Sequence, residues 1–151
     1  MTAAASSFNH YETMRVILGG ARVIRRPIEN ELDLVVLSRE GITKASVVSV
    51  SQFLGVSMER MSDLLHTSHR TIQRKRDDES LGIYASEQTI EVAEVLSKGL
   101  DLFGTRERLT AWLNTPLWAL GGKTPLSLLD TSYGTKLILK ELGRLEHGIF
   151  S

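Results

Sequence analysis

Cysteine is absent from the 151-residue sequence. Its absence excludes a disulfide framework and any thiolate metal site, and nothing points to an oxidising compartment. An excess of either charge is also lacking. Eighteen Lys and Arg side chains balance eighteen Asp and Glu, so attraction to nucleic acid has to come from local clusters, not from the field of the whole molecule. No run approaches eighteen uninterrupted apolar residues, and the N-terminus MTAAASSFNHYETM has no basic segment leading into an apolar one. Neither a membrane span nor a secretion signal is expected, which leaves the cytoplasm as the expected location. What is present is an ordinary globular mixture, 42% apolar and 24% charged. That is enough for one core or for two small helical modules sharing a surface.

Periodicity and punctuation predict an all-α chain. Residues 1 to about 10 are Ala/Ser-rich and expected to fray. Tyr11 to Pro27 reads as a short helix or extended arm interrupted at Gly19-Gly20, and its Arg22, Arg25 and Arg26 read first as a solvated cluster, with DNA contact as the alternative. A helix through Leu32 to Leu37 should stop near Gly41, and Thr43 should cap one that runs to Leu54 and ends at Gly55. The β-branched run Ser46 to Ser51 would suit a strand, but helix start and stop signals flank it. Ser57 caps a helix from Met58 to Leu65, and Ser68 caps another that carries Thr71 to Arg76 and ends in Asp77-Asp78-Glu79. A helix from Ser86 to Phe103 has two apolar stripes and should join two modules. Thr105 caps the next, with Leu109, Trp112 and Leu113. After a loop from Asn114 to Gly122, Thr124-Pro125 starts a short buried helix. The last helix is expected from about Thr131 to His147, with Gly148 as its C-terminal cap. The implied division is an N-terminal arm and helical module over residues 1–80 and a helical C-terminal domain over residues 81–151.

The segment from Met58 to Arg74 has the form of a helix-turn-helix. Met58, Met61, Leu64 and Leu65 fix the first helix, and Ile72 anchors the second while its neighbours face outward. Such a recognition helix fits the major groove of DNA and reads bases with its exposed N-terminal side chains. Ser68, His69, Arg70 and Gln73 are placed to do so, while Arg74, Lys75 and Arg76 complete a basic stretch free of acids from His66 onward, suited to phosphates. His66 stands where such turns usually carry glycine, and a histidine there has to adopt a positive φ at some cost. Other motifs carry less. Gly121-Gly122-Lys123-Thr124 ends like a phosphate-binding loop, but Leu117 occupies the position of its first glycine and no strand precedes it. His66 and His69 have no third ligand at metal spacing. No base stands beside a suitable nucleophile, so the expectation is no metal, no cofactor and no enzymatic activity.

Further along, Phe103-Gly104, Trp112-Leu113, the run Ala119-Leu120-Gly121-Gly122-Lys123-Thr124-Pro125-Leu126-Ser127-Leu128-Leu129 and the run from Leu142 to Ser151 stand in a fixed order. In these residues the sequence resembles the Xre/MbcA/ParS antitoxin family. The resemblance covers roughly residues 98 to 151 and weakens upstream, where the arginine common in the middle of the linking helix gives way to apolar and acidic residues around Glu91 to Ala93. It implies a type II antitoxin whose partner is a RES-domain toxin acting on NAD, with the C-terminal domain blocking the toxin and the N-terminal half repressing the shared operon as a homodimer on operator DNA. On the outward face of the last helix Lys136, Lys140, Arg144 and His147 recur at helical spacing, either as a solvated stripe or as the rim contact to an anion-accepting pocket. Ile149, Phe150 and Ser151 beyond them would be an apolar plug. A stand-alone helix-turn-helix regulator with a C-terminal protein- or ligand-binding domain is the alternative.

Overall fold

A computed structural model describes the backbone of residues 2–150 and the side chains of residues 10–148. Among the described residues there are eight α-helices, two short 3₁₀ turns and no regular strand. In chain order the helices are α1 (Thr2–Ile17), α2 (Glu31–Glu40), α3 (Lys44–Leu54), α4 (Met58–Leu64), α5 (His69–Gln73), α6 (Ile83–Phe103), α7 (Arg106–Leu113) and α8 (Ser132–Phe150); the 3₁₀ turns at Trp118–Leu120 and Leu126–Leu128 lie between α7 and α8.

Local chemistry accounts for most of the helix starts. Thr43, Ser57, Ser68 and Thr105 each turn a side-chain oxygen onto the amide three residues on, at Ser46, Arg60, Thr71 and Arg108. Each removes one unsatisfied donor, worth about 1 kcal/mol. The β-branched run of α3 is helical because Thr43 starts it, Gly55 stops it in the left-handed region, and Val47, Val50 and Leu54 then fall on one buried face.

The 21-residue α6 is the axis of the molecule, packed by α1, α2, α3, α7 and α8. Ile90, Val92, Ala93, Val95 and Leu96 are buried along it, as its two apolar stripes require. One continuous core runs from Met14 of α1 through Ile72 of α5 to Leu142 of α8. Buried polar groups fix the register. Ser86 Oγ accepts the Ile42 amide at 2.8 Å and donates to the Leu81 carbonyl at 3.2 Å, while the amides of Lys44 and Ala45 reach the carbonyls of Glu79 and Asp77. The chain entering α6 is thereby tied to the start of α3.

Four expectations need correction. Residues 2–10 belong to α1 and are not a frayed arm; alanine is the best helix former. The linking helix begins at Ile83, because the Ser86 hydroxyl is drawn to Ile42 and Leu81 and caps nothing. The recognition helix ends at Gln73, one turn early, where the carbonyls of Gln73 and Lys75 accept from Lys44 Nζ. Gly148 is no cap, since α8 continues to Phe150 and Gly148 does not have a positive φ.

At the α1–α6 contact Ser97 Oγ donates to the His10 carbonyl and also meets His10 Nδ1, both at 2.9 Å. Burial, then the Lys98 charge, lowers the pKa of His10, with Asp101 opposing. A histidine held below its unfolded pKa binds fewer protons when folded, so its contribution is complete above the ordinary value near 6.5 and is lost as pH falls below it. Melting temperature should therefore fall on acidification through that range, and His10→Gln should flatten the slope; equal slopes for both proteins would disprove the assignment.

Candidate functional site

The recognition segment is built from the inside outward. Ile72 is fully buried and Met61 beneath it equally so, which leaves the opposite side of α5 in solvent. Arg70, Gln73 and Arg74 are exposed, and His69 is half-buried. The side chains of His69, Arg70, Gln73, Arg74 and Lys75 have no hydrogen-bond or ion-pair partner among the described residues. Ser68 is different: its hydroxyl accepts the Thr71 amide at 3.0 Å and shares 2.7 Å with the Thr71 hydroxyl, so it is engaged in starting α5. Arg76 stands beyond the helix and is turned toward Asp78 and Glu79, at 3.3 and 3.8 Å. The arrangement therefore brings together Arg70, Gln73 and Arg74 as free donors, with Lys75 alongside, and leaves Arg76 partly neutralised.

The turn between α4 and α5 is closed by His66 at φ 51, the one non-glycine positive φ among the described residues. Its Nε2 lies 2.8 Å from the Asp130 carbonyl and 3.9 Å from the Asp130 carboxylate. The strain, on the order of 1 kcal/mol, is thus offset by a contact of similar worth that joins the α4–α5 turn to the loop before α8. His66→Gly removes both strain and contact and should melt within about 1 kcal/mol of the natural protein, whereas His66→Ala keeps the strain and should be lower by about that much. Identical melting of the alanine variant and the natural protein would contradict this balance.

Two further contacts fix how the helices dock, the first of them across the two halves. Arg106 of α7 donates from Nε to the Phe53 carbonyl at 2.8 Å and from Nη2 to the Gln52 carbonyl at 2.9 Å, capping the C-terminus of α3 with its charge. Its guanidinium also lies 5.8 Å from the Phe53 ring centre. On α6, the Glu91 carboxylate accepts from Ser132 Oγ at 3.0 Å and Thr135 Oγ1 at 2.7 Å. It sits on the first turn of α8, where the helix dipole favours an anion. Glu91 thereby docks α6 onto α8.

Along α8 the buried face is Thr135, Ile138 and Leu142, and the outward face carries Lys136, Lys140, Arg144 and His147, all exposed. Tyr133 and Leu137 are exposed beside them, and Lys136 Nζ lies 5.9 Å from the Tyr133 ring centre. Arg144 is not an isolated cation. Its Nε donates to Glu141 Oε2 at 3.0 Å and its Nη2 to Glu141 Oε1, and this hydrogen bond, ahead of charge attraction, holds the Glu141 carboxyl below its ordinary value. The expected contacts at Ile149, Phe150 and Ser151 lie outside the described side chains. Sequence reasoning missed Glu91, Arg106 and the role of Asp130, whose partners are 41 to 64 residues away; only the misfit of histidine in a glycine turn was a visible signal.

A helix-turn-helix whose outward side chains are unpaired and a second helical module share one core, the form of a two-part helical protein. Comparison with known proteins fits it. Residues 33–94 match the antitoxin Xre-like helix-turn-helix domain, and residues 98–148 match the antitoxin Xre/MbcA/ParS C-terminal toxin-binding domain. The chain belongs to the Xre/MbcA/ParS antitoxin family. Antitoxin Xre of Yersinia enterocolitica is 35% identical over 86 residues, 54% of this chain and 57% of that protein. The Prs ADP-ribosylating antitoxin of a Sphingobium species is 26% identical over 130 residues, 80% of this chain and 82% of its own length. Antitoxin Xre of Photorhabdus laumondii is 36% identical over 67 residues, 44% of this chain and 45% of that protein. The match thus spans about half the length of each Xre relative. The two matched domains meet inside α6, between residues 94 and 98.

Proposed function

We propose that this chain is the antitoxin of a type II pair, which holds a RES-domain toxin inactive by covering its NAD site and represses its own operon as a DNA-binding dimer. The observation that carries the reading is the serial arrangement of the two matched domains on one helix, α6, with free recognition side chains on the first and an exposed basic face on the second. ADP-ribosylation, named for the Sphingobium relative, is chemistry that consumes NAD, which favours a toxin of that kind. In this reading Lys136, Lys140, Arg144 and His147, with Ile149, Phe150 and Ser151 beyond, face the toxin. Ser68, His69, Arg70 and Gln73 approach base edges, and Arg74, Lys75 and Arg76 approach phosphates.

The test on DNA uses gel shifts with the operon's own promoter. Arg70→Ala or Gln73→Ala should cost about 1 to 3 kcal/mol and relax specificity, whereas Lys75→Ala should weaken binding to every sequence and lower the salt slope by about one. Arg76→Ala should do less, because Asp78 and Glu79 already share its charge. Natural affinity in all four variants would remove α5 from the interface.

A further inference from the structure

The chain has two tryptophans, and they lie in opposite environments. Trp112 is half-buried with its ring 5.3 Å from that of Phe103, whereas Trp118 is 95% exposed. No other described large hydrophobic side chain is as exposed. A tryptophan in water leaves a large apolar area uncovered, and a flexible loop would commonly fold it back.

This loop is held. Leu117 donates its amide to the Lys123 carbonyl at 3.1 Å and accepts from the Gly122 amide at 2.9 Å, forming an isolated antiparallel bridge. Gly121 takes φ 67, open to glycine without strain, and its amide returns to the Trp118 carbonyl at 3.0 Å. Leu120, which closes the turn, is itself buried. The backbone thus presents Trp118 outward in a fixed place, so little ordering entropy remains to be lost when a partner covers it.

We propose that Trp118 is an anchor of the toxin interface, inserted into an apolar pocket of the toxin. This rests on the antitoxin reading above. The partner is assigned by continuity, since Trp118 falls inside residues 98–148, the segment matched to a toxin-binding domain. The few residues that dominate binding at protein interfaces are enriched in Trp, Tyr and Arg, seated in well-packed, desolvated pockets. Trp118 extends the proposed contact from α8 to the loop that precedes it.

The test uses the full chain labelled with 5-fluorotryptophan, with Trp112→Phe leaving Trp118 as the one fluorine probe, and the purified product of the neighbouring toxin gene. Adding toxin should move the Trp118 fluorine resonance and shield it from solvent. Trp118→Ala should weaken toxin binding by about 30-fold, with Trp118→Phe in between, while melting temperature and operator affinity stay at natural values. An unmoved resonance with natural toxin affinity in Trp118→Ala would overturn the proposal while leaving the antitoxin reading intact. A resonance that shifts with chain concentration in the absence of toxin would overturn it in favour of self-association. Failure of the natural chain to bind the toxin at all would overturn the antitoxin reading together with the anchor.

Discussion

Gly134→Ala should destabilise the C-terminal half by about 3 kcal/mol or more, at the upper end of what overpacking costs. Gly134 is buried in the first turn of α8. A β-carbon there would overlap the Leu128 carbonyl oxygen, lie 2.9 Å from the Leu128 carbonyl carbon and sit 3.0 Å from Thr131 Oγ1. The obstacle is backbone, so no side-chain rotation relieves it. Nor can that backbone retreat easily: Leu129 next to it is fully buried, and its carbonyl accepts from Gln88 Nε2 at 2.7 Å. For a domain of this size the loss corresponds to a fall in melting temperature on the order of 6–12 °C. Gly143 in the same helix is the control, because a β-carbon there meets nothing within 4 Å. Gly143→Ala should stabilise by up to about 1 kcal/mol through helix propensity alone. Thermal melts of both variants check the pair, and equal melting would show that the close approach at Leu128 yields freely.

Removal of residues 1–80 should have a larger effect still. The sequence suggests a boundary near Ser80 and thus a separable toxin-binding half. In the fold, however, α6 is packed by α1, α2 and α3 as well as by α7 and α8. A fragment from residue 81 would expose the part of Ile90, Val92, Ala93, Val95 and Leu96 that those three helices cover. Apart from Ala93, each of these side chains contributes about 1.5–3 kcal/mol when fully buried, so losing a few of them removes most of the roughly 5–15 kcal/mol that keeps an ordinary domain folded. Arg106 would also lose the α3 carbonyls, and His66 would be gone from Asp130. Circular dichroism of the fragment should show a large loss of helix and no cooperative melt. A sharply melting helical fragment would establish that the halves fold independently and that the α6 contacts are a docking surface between domains.

The elements that sequence reasoning placed well are those whose causes lie within four residues. Thr43, Ser57, Ser68 and Thr105 are caps because an oxygen at that spacing reaches a free amide whatever the rest of the chain does. The β-branched stretch Ser46 to Ser51 was resolved by the same punctuation. Misplaced boundaries had distant competitors: Ser86 is taken by Ile42, 44 residues earlier, and the end of α5 is drawn to Lys44, about 30 residues away. The functional surface divides in the same way. Periodicity was enough to place Arg70 and Gln73 outward over Ile72, and Lys136 and Lys140 outward over Ile138. It could not show that Arg144 is paired with Glu141, that Arg76 turns to its own acidic neighbours, or that Trp118 stands in solvent while Trp112 packs on Phe103. Arg144 and Arg76 settle on acids within three residues, a choice among local rotamers that periodicity does not rank, whereas the contrast between Trp118 and Trp112 is a property of the assembled fold.

Co-purification tests most directly whether this one chain both holds a toxin and binds the promoter of their operon. The chain should be co-expressed with the open reading frame beside its gene, isolated through a tag on the chain alone, and measured by size-exclusion chromatography with light scattering. A stoichiometric complex that contains a RES-domain protein, lacks NAD-consuming activity and binds the operon's promoter is the predicted result. Elution of the chain without that protein, while the protein itself is soluble and active in the same cells, would contradict the account.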